Sequence, residues 1–344
     1  MKLSVYPYFL EFIHPFALAH GTRTGTQLAF VILEFEGIVA YGEASLPPYR
    51  KETFDSVKLW VENQYGQVLE ILAGNPFQNP ENIPFSNQNP SASAALQSAI
   101  LNWHALSTEN KLSDFFNQTT SSPALTLTIT KNDAPFLSEK LNLANRFTHF
   151  KLKLTGSIDD LDFVKSVRNK TDVPFCIDIN QGYQKKEEAI QLIADLEKQH
   201  CVLIEQPLKD TDHEGHYWLK QRTPLPIIAD ESIQQYEDLV QFNEAYSGVN
   251  IKLMKCGGLF QAQKMLQFSE QLAKEHSFMK LIGCMSESSL GVATAAVLAS
   301  QCQMADLDAP YLNTNDPFEG FEILDGKIEI NDKITVAANF TFSE

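Results

Sequence analysis

No apolar run in the chain approaches the ~18 residues that a membrane-crossing helix needs, so the reading expects no membrane partner. The N-terminus, "MKLSVYPYFLEF", lacks the apolar centre and small-residue cleavage site of a secretory signal. Cysteine is scarce and odd in number, at five. None has the paired spacing of a zinc site, and Cys176, Cys201 and Cys284 lie within apolar runs. They read as small core residues in a reducing compartment, which places the protein in the cytoplasm. Basic residues are in deficit: 27 Lys and Arg stand against 43 Asp and Glu, a net charge of −16. With no positive surplus to neutralise phosphates, nucleic acid is excluded as a partner. No G-x-G-x-x-G opens any strand–helix unit, which argues against a doubly wound dinucleotide-binding sheet.

What remains is a globular chain of 344 residues, 44% apolar, enough for one large or two ordinary domains. "LAFVILEFEGIVAYGEA" alternates as two strands about a Glu36-Gly37 turn. "ETFDSVKLWVENQYGQVLEILAG" has apolar residues at helical spacing and ends at Gly74. "NPFQNPENIPFSNQNP" reads as loop, and "SASAALQSAILNWHAL" as a close-packing helix. From about residue 123 the texture changes. Eight short strand candidates follow, from "ALTLTIT" to "QMADLDAP", most of them separated by amphipathic helical segments. Strands interleaved with helices imply a parallel sheet, and eight of them imply a closed barrel. The expected fold is α/β, a closed (β/α) TIM barrel preceded by a β-hairpin unit and helices.

Charge falls in phase with this pattern. "HFKLK" ends on Lys153, "PFCID" on Asp178, "CVLIE" on Glu205, "PIIAD" on Asp230 and "GVNIK" on Lys252. Each charge closes a five-residue run behind an apolar residue, one βα unit after the last. The C-terminal ends of barrel strands form the active-site face. Lys153 and Lys252 then close the second and sixth strands, which are opposite in an eight-membered ring. Asp178, Glu205 and Asp230 occupy the arc between them. Three hard oxygen donors without His or Cys suit Mg²⁺, with Mn²⁺ as the alternative. A lysine base near neutral pH needs its pKa brought from ~10.4 to roughly 7–8, about 4 kcal/mol of local electrostatics. Lys151, on the same strand face as Lys153, and a nearby dication both push that way. Lys151 could also meet a substrate carboxylate.

The pieces "KLK" at 151–153, "DIN" at 178–180, "EQP" at 205–207, "ADES" at 229–232 and "KLMKCGG" at 252–258 together resemble the enolase superfamily, in its muconate-lactonizing-enzyme subgroup. The resemblance implies a (β/α)7β TIM barrel over residues 121–317, with an α+β capping domain formed by residues 1–120 and a returning tail, 318–344. It also implies Mg²⁺-assisted removal by lysine of a proton α to a carboxylate or carbonyl. Subgroup members include cycloisomerases, o-succinylbenzoate synthases, N-acylamino-acid racemases and dipeptide epimerases. "MADLDAP" separates them: Asp306 and Asp308 form an acidic pair at the eighth strand end, and of these substrates only a dipeptide brings a free ammonium. The pair resembles that of dipeptide epimerases. The family pattern also places Thr128, Cys284, Met285 and Ser286 around the substrate. "HGTRTG" at 20–25 reads as a capping loop whose Arg23 could meet a substrate carboxylate. Lys252 is preferred to Lys255 as the second base on register. Asn180 reads as a neighbour of the metal site rather than a ligand, and Glu287 has no assigned role. Two alternatives stay open, an o-succinylbenzoate synthase or N-acylamino-acid racemase of the same subgroup and a non-catalytic peptide-binding barrel; a homo-oligomer is compatible with each.

Overall fold

The computed structural model describes residues 1–18 and 21–342. Three antiparallel strands open the chain: β1 (Lys2–Leu18), β2 (Gly21–Phe35) and β3 (Ile38–Leu46), in the order β1-β2-β3. Glu36 and Gly37 both have positive φ, 49° and 78°, which a two-residue hairpin turn requires. β1 tolerates Pro7 and Pro15 because it is an edge strand, paired along one side only. Three helices follow: α1 (Phe54–Glu62), α2 (Tyr65–Leu72) and α3 (Pro90–Ser107). The single helix expected over 52–74 is thus two, broken at Asn63-Gln64. Small residues let α3 pack closely on β3, so closely that a Cβ on Gly42 would lie 1.9 Å from the Ala95 carbonyl oxygen.

Eight parallel strands then close a barrel: β4 (Ala124–Ile129), β5 (His149–Lys153), β6 (Phe175–Asp178), β7 (Cys201–Glu205), β8 (Ile227–Ala229), β9 (Gly248–Lys252), β10 (Met279–Gly283) and β11 (Met304–Asp306). Helical segments connect each strand to the next: α4 (Leu137–Asn142), α5 (Asp160–Arg168), α6 (Lys186–Lys198), α7 (His213–Lys220), α8 (Tyr236–Phe242), α9 (Leu253–Cys256) with α10 (Leu259–Glu275), and α11 (Ser289–Ala296). Among the described residues no α-helix follows β11; the chain leaves through a 3₁₀ turn to the hairpin β12 (Phe318–Leu324) and β13 (Lys327–Val336). That is the (β/α)7β form. The tail returns to the first sheet, as expected: Leu10, Leu28 and Phe30 share a buried cluster with Leu290 and Phe318, and Phe342 packs on Tyr41. Among the described residues no helix is long and apolar enough to cross a membrane.

The barrel interior alternates in layers because strand side chains alternate. Two residues before each strand-end position stand Thr126, Lys151, Cys176, Leu203, Ile228, Asn250, Leu281 and Met304. Five of these form a dry cluster of their own: Cys176, Leu203, Ile228, Leu281 and Met304. The other three are polar, and all three reach the carboxylates of the layer above.

Candidate active site

Above that layer opens a cavity of about 940 Å³, at the C-terminal ends of the strands. Phe12, Arg23, Tyr49 and Arg50 of the first domain contribute to its wall. Lys153, Asp178, Glu205 and Lys252 are the last residues of β5, β6, β7 and β9, and Asp230 directly follows β8. β5 and β9 are four strands apart by either route round the ring, so Lys153 and Lys252 enter from opposite sides.

Asp178, Glu205 and Asp230 are buried and each offers one oxygen within 4.8 Å of the others. An all-oxygen carboxylate set fits a hard divalent cation. The layer beneath fixes these groups. Lys151 Nζ lies 3.1 Å from Asp178, 2.9 Å from Glu205 and 2.7 Å from Asp306. Asn250 Nδ2 donates to Glu205 Oε1 at 3.0 Å, and Thr126 Oγ1 to Asp306 Oδ1 at 2.7 Å. Burial opposes ionisation of Asp178, but Lys153 and Lys151 outweigh it and hold the carboxyl at about 2. Burial wins at Glu205, which rises to about 7. Asp230 is buried too, yet Lys252 and Lys255 keep it well below the ordinary carboxylate range.

Lys151 differs from its expected role. It is 1% exposed and contributes nothing to the cavity wall, so it does not face a substrate. Its charge is absorbed by three carboxylates: burial works against the ammonium, but Asp306 and Glu205 raise its pKa well above a free lysine. Lys252 donates to Asp230 Oδ2 at 2.7 Å, and Asp230 likewise overcomes burial and raises it. Lys255 Nζ is tied to Asp230 Oδ1 at 2.6 Å and to the carbonyls of Asp230, Asn250 and Ile233. Of these two lysines, it is Lys252 that ends the strand.

Asp306 and Asp308 both line the cavity but are not equivalent. Asp306 already holds Lys151, whereas Asp308 accepts the Thr128 N–H at 2.5 Å. Burial and the charge of Asp306 push Asp308 up to about 6. Thr128, Cys284, Met285 and Ser286 complete this side of the cavity. Met285 N–H donates to Glu287 Oε1, and Ser45 from β3 holds the Ser286 carbonyl. Glu287 is therefore a support beneath the wall.

The segment expected as a loop at 20–25 is different. His20 lies outside the described residues, and Gly21–Gly25 begins β2, paired to β1. Arg23 reaches the cavity between the rings of Phe12 and Tyr49, at 5.6 and 5.5 Å. Its Nε and Nη1 are buried without a hydrogen-bond partner, and burial lowers its pKa. Sequence reasoning missed Tyr49, Asn250 and Glu231. Asn250 alone left a signal, standing two before Lys252 on an inward-facing strand.

A capped parallel barrel with lysines and carboxylates at its strand ends defines a class, and the sequence profile of the enolase C-terminal domain-like family matches residues 137–335. The chain belongs to that family. It is 33% identical to an L-Ala-D/L-Glu epimerase of Bacteroides thetaiotaomicron, over 96% of this chain and 86% of the relative. It is 31% identical to a hydrophobic dipeptide epimerase of Enterococcus faecalis, over 91% of each. A crystal structure of a dipeptide epimerase from Enterococcus faecalis, complexed with Mg and L-Leu-L-Tyr, superposes with a TM-score of 0.81 at 26% identity, covering 97% of this chain and 99% of that one.

Proposed function

We propose that this protein is an isomerase, a dipeptide epimerase that inverts the α-carbon of the C-terminal residue by two-lysine proton transfer. The observation that carries the reading is the opposition of Lys153 and Lys252 across a cavity whose remaining side holds Asp306 and Asp308. One lysine removes the α-proton from one face and its opposite returns a proton to the other. Asp308 attracts the substrate's α-ammonium, and Asp306 adds charge behind it. Asp178, Glu205 and Asp230 would hold a divalent cation, Mg²⁺ in this reading, which would supply positive charge beside the site where the proton leaves. Residues 121–317 carry this chemistry; the first domain adds Phe12, Arg23, Tyr49 and Arg50 to the cavity wall, and the tail from Phe318 packs on that domain. Five free cysteines support a cytoplasmic setting.

Arg23 narrows the substrate. A buried guanidinium with open donors calls for an anion. We therefore favour a dipeptide with an acidic side chain, such as L-Ala-L-Glu, in keeping with the name of the Bacteroides relative.

The test is incubation with Mg²⁺ in D₂O, reading deuterium uptake and epimer ratio by mass spectrometry and chiral chromatography. L-Ala-L-Glu should epimerise with deuterium gain, and its N-acetylated form should be a poor substrate. Equal turnover of the acetylated form would move the N-acylamino-acid racemase reading ahead. Arg23→Met should remove the preference for L-Ala-L-Glu over L-Ala-L-Gln; an unchanged preference would take Arg23 out of recognition.

A further inference from the structure

Past Asp178 the chain turns with two residues in left-handed backbone, Asn180 at φ 46° and Gln181 at φ 65°. Asparagine tolerates that region better than most side chains. The turn keeps the Asn180 side chain beside the end of β5. Its backbone N–H donates to Asp178 Oδ1 at 3.0 Å. Its side-chain oxygen accepts from Lys153 Nζ at 3.2 Å, and its Nδ2 donates to Glu231 Oε1 at 3.2 Å. The Lys153 ammonium fixes the amide's orientation, since it only donates and must face the oxygen.

Lys153 also donates to Asp178 Oδ2 at 2.7 Å, just as Lys252 donates to Asp230 Oδ2 at 2.7 Å, and Asp230 is pinned in turn by Lys255. Asn180 touches neither lysine of that pair among the described contacts. The two lysines rest on different carboxylates, and among the described contacts Lys153 alone has the Asn180 amide as a second partner.

Resting on the two-lysine reading, we propose that Asn180 is a positioning residue for Lys153 alone. Its amide, set between Glu231 and the ammonium, fixes where the lysine nitrogen stands when it meets the α-carbon. Proton transfer depends steeply on that placement, so a displaced nitrogen slows only the transfers it carries. Lys252 and the carboxylate set keep their geometry.

Asn180→Gly is the suitable variant. It deletes the amide, keeps the backbone N–H that serves Asp178, and suits a positive φ. Asn180→Asp is the second variant: it keeps an acceptor for Lys153 but sets a carboxylate against Glu231. The assay is α-proton exchange in D₂O with Mg²⁺, run separately on L-Ala-L-Glu and L-Ala-D-Glu, with Lys153→Ala as reference. Calorimetry of Mg²⁺ binding runs beside it. Lys153→Ala should abolish exchange of one epimer. Asn180→Gly should lower exchange of that same epimer by about 10–100-fold, as expected for a misplacement near 1 Å. Exchange of the other epimer should change by less than about threefold in both Asn180 variants, and Mg²⁺ affinity by less than about threefold in Asn180→Gly. Equal losses for both epimers, or none for either, would overturn the role of Asn180. Absence of an epimer-selective loss in Lys153→Ala would overturn the two-lysine reading itself, and this proposal with it.

Discussion

Asp306 and Asp308 stand two apart and yet have different work to do. Lys151 neutralises Asp306 from below and outweighs its burial, so this carboxyl stays ionised to low pH. Asp308 has a backbone N–H instead of a cation, and burial with the neighbouring charge lifts it to about 6. Only its ionised form attracts an ammonium. As pH falls through about 6, Asp308 takes up a proton and the attraction is lost, so KM for the dipeptide should rise on the acid side. Steady-state kinetics between pH 5 and pH 8 at saturating Mg²⁺ would read this. Asp308→Asn should raise KM about 10–100-fold at pH 8, the worth of ~1.5–3 kcal/mol for a charged hydrogen bond, and should flatten the acid limb. A limb that persists in Asp308→Asn would assign it to another group. The sequence displays both aspartates, but not this difference. It arises because Lys151 turns out to lie between the metal-site carboxylates and Asp306.

At the scale of elements, the barrel is legible because five of its eight strands, β5 to β9, lead to a charge behind an apolar run, one βα unit after the last. Three other elements are not legible, for separate reasons. β1 hides behind two prolines and apolar residues on both faces, tolerable only for an edge strand whose partner the sequence does not reveal. Gly21–Gly25 has the polar, glycine-flanked texture of a loop but is held as strand by its pairing with β1. The break between α1 and α2 lies inside an unbroken helical pattern. Long-range polar contacts are equally invisible. Glu43 on β3 caps α11 across the domain boundary, accepting from Ser288 N at 3.0 Å and Gly291 N at 3.2 Å. Burial and the nearby Glu287 raise Glu43 to about 8. Glu43→Ala would leave those buried donors unpaired, at a cost of about 2–3 kcal/mol in denaturant unfolding. Glu43→Gln keeps an acceptor in place and should recover most of that loss. A raised carboxyl pKa means the folded state holds its proton longer than the unfolded one, so this group removes stability as pH rises from about 4.3 towards 8. Glu43→Gln should therefore show a shallower decline over that window; an identical decline would place the effect elsewhere.

The molecule as a whole has to stand with three carboxylates gathered at one end of its barrel, whether or not a cation is there. Its own ammonium groups make that feasible. Lys151 and Lys153 lie on Asp178, Lys151 on Glu205, and Lys252 with Lys255 on Asp230, all at 3.1 Å or less. The apolar layer beneath and the returning tail, whose Phe318 seats against Phe30 and Tyr41, contribute independently of the site. Folding and metal binding should accordingly be separable, unlike a small domain that folds only around its metal. Chelator-treated protein should melt cooperatively. Adding Mg²⁺ should then raise stability by mass action, by ~2.7 kcal/mol at a free concentration 100 times Kd. Glu205→Gln removes one anionic ligand but keeps an oxygen that Lys151 can meet, so the variant should still fold while losing both turnover and the Mg²⁺-dependent increment. Calorimetric melting of the two proteins, with and without Mg²⁺, decides the matter. A wild-type protein that unfolds on chelation would mean the lysines do not compensate the carboxylates. An undiminished increment in Glu205→Gln would mean the cation is held elsewhere.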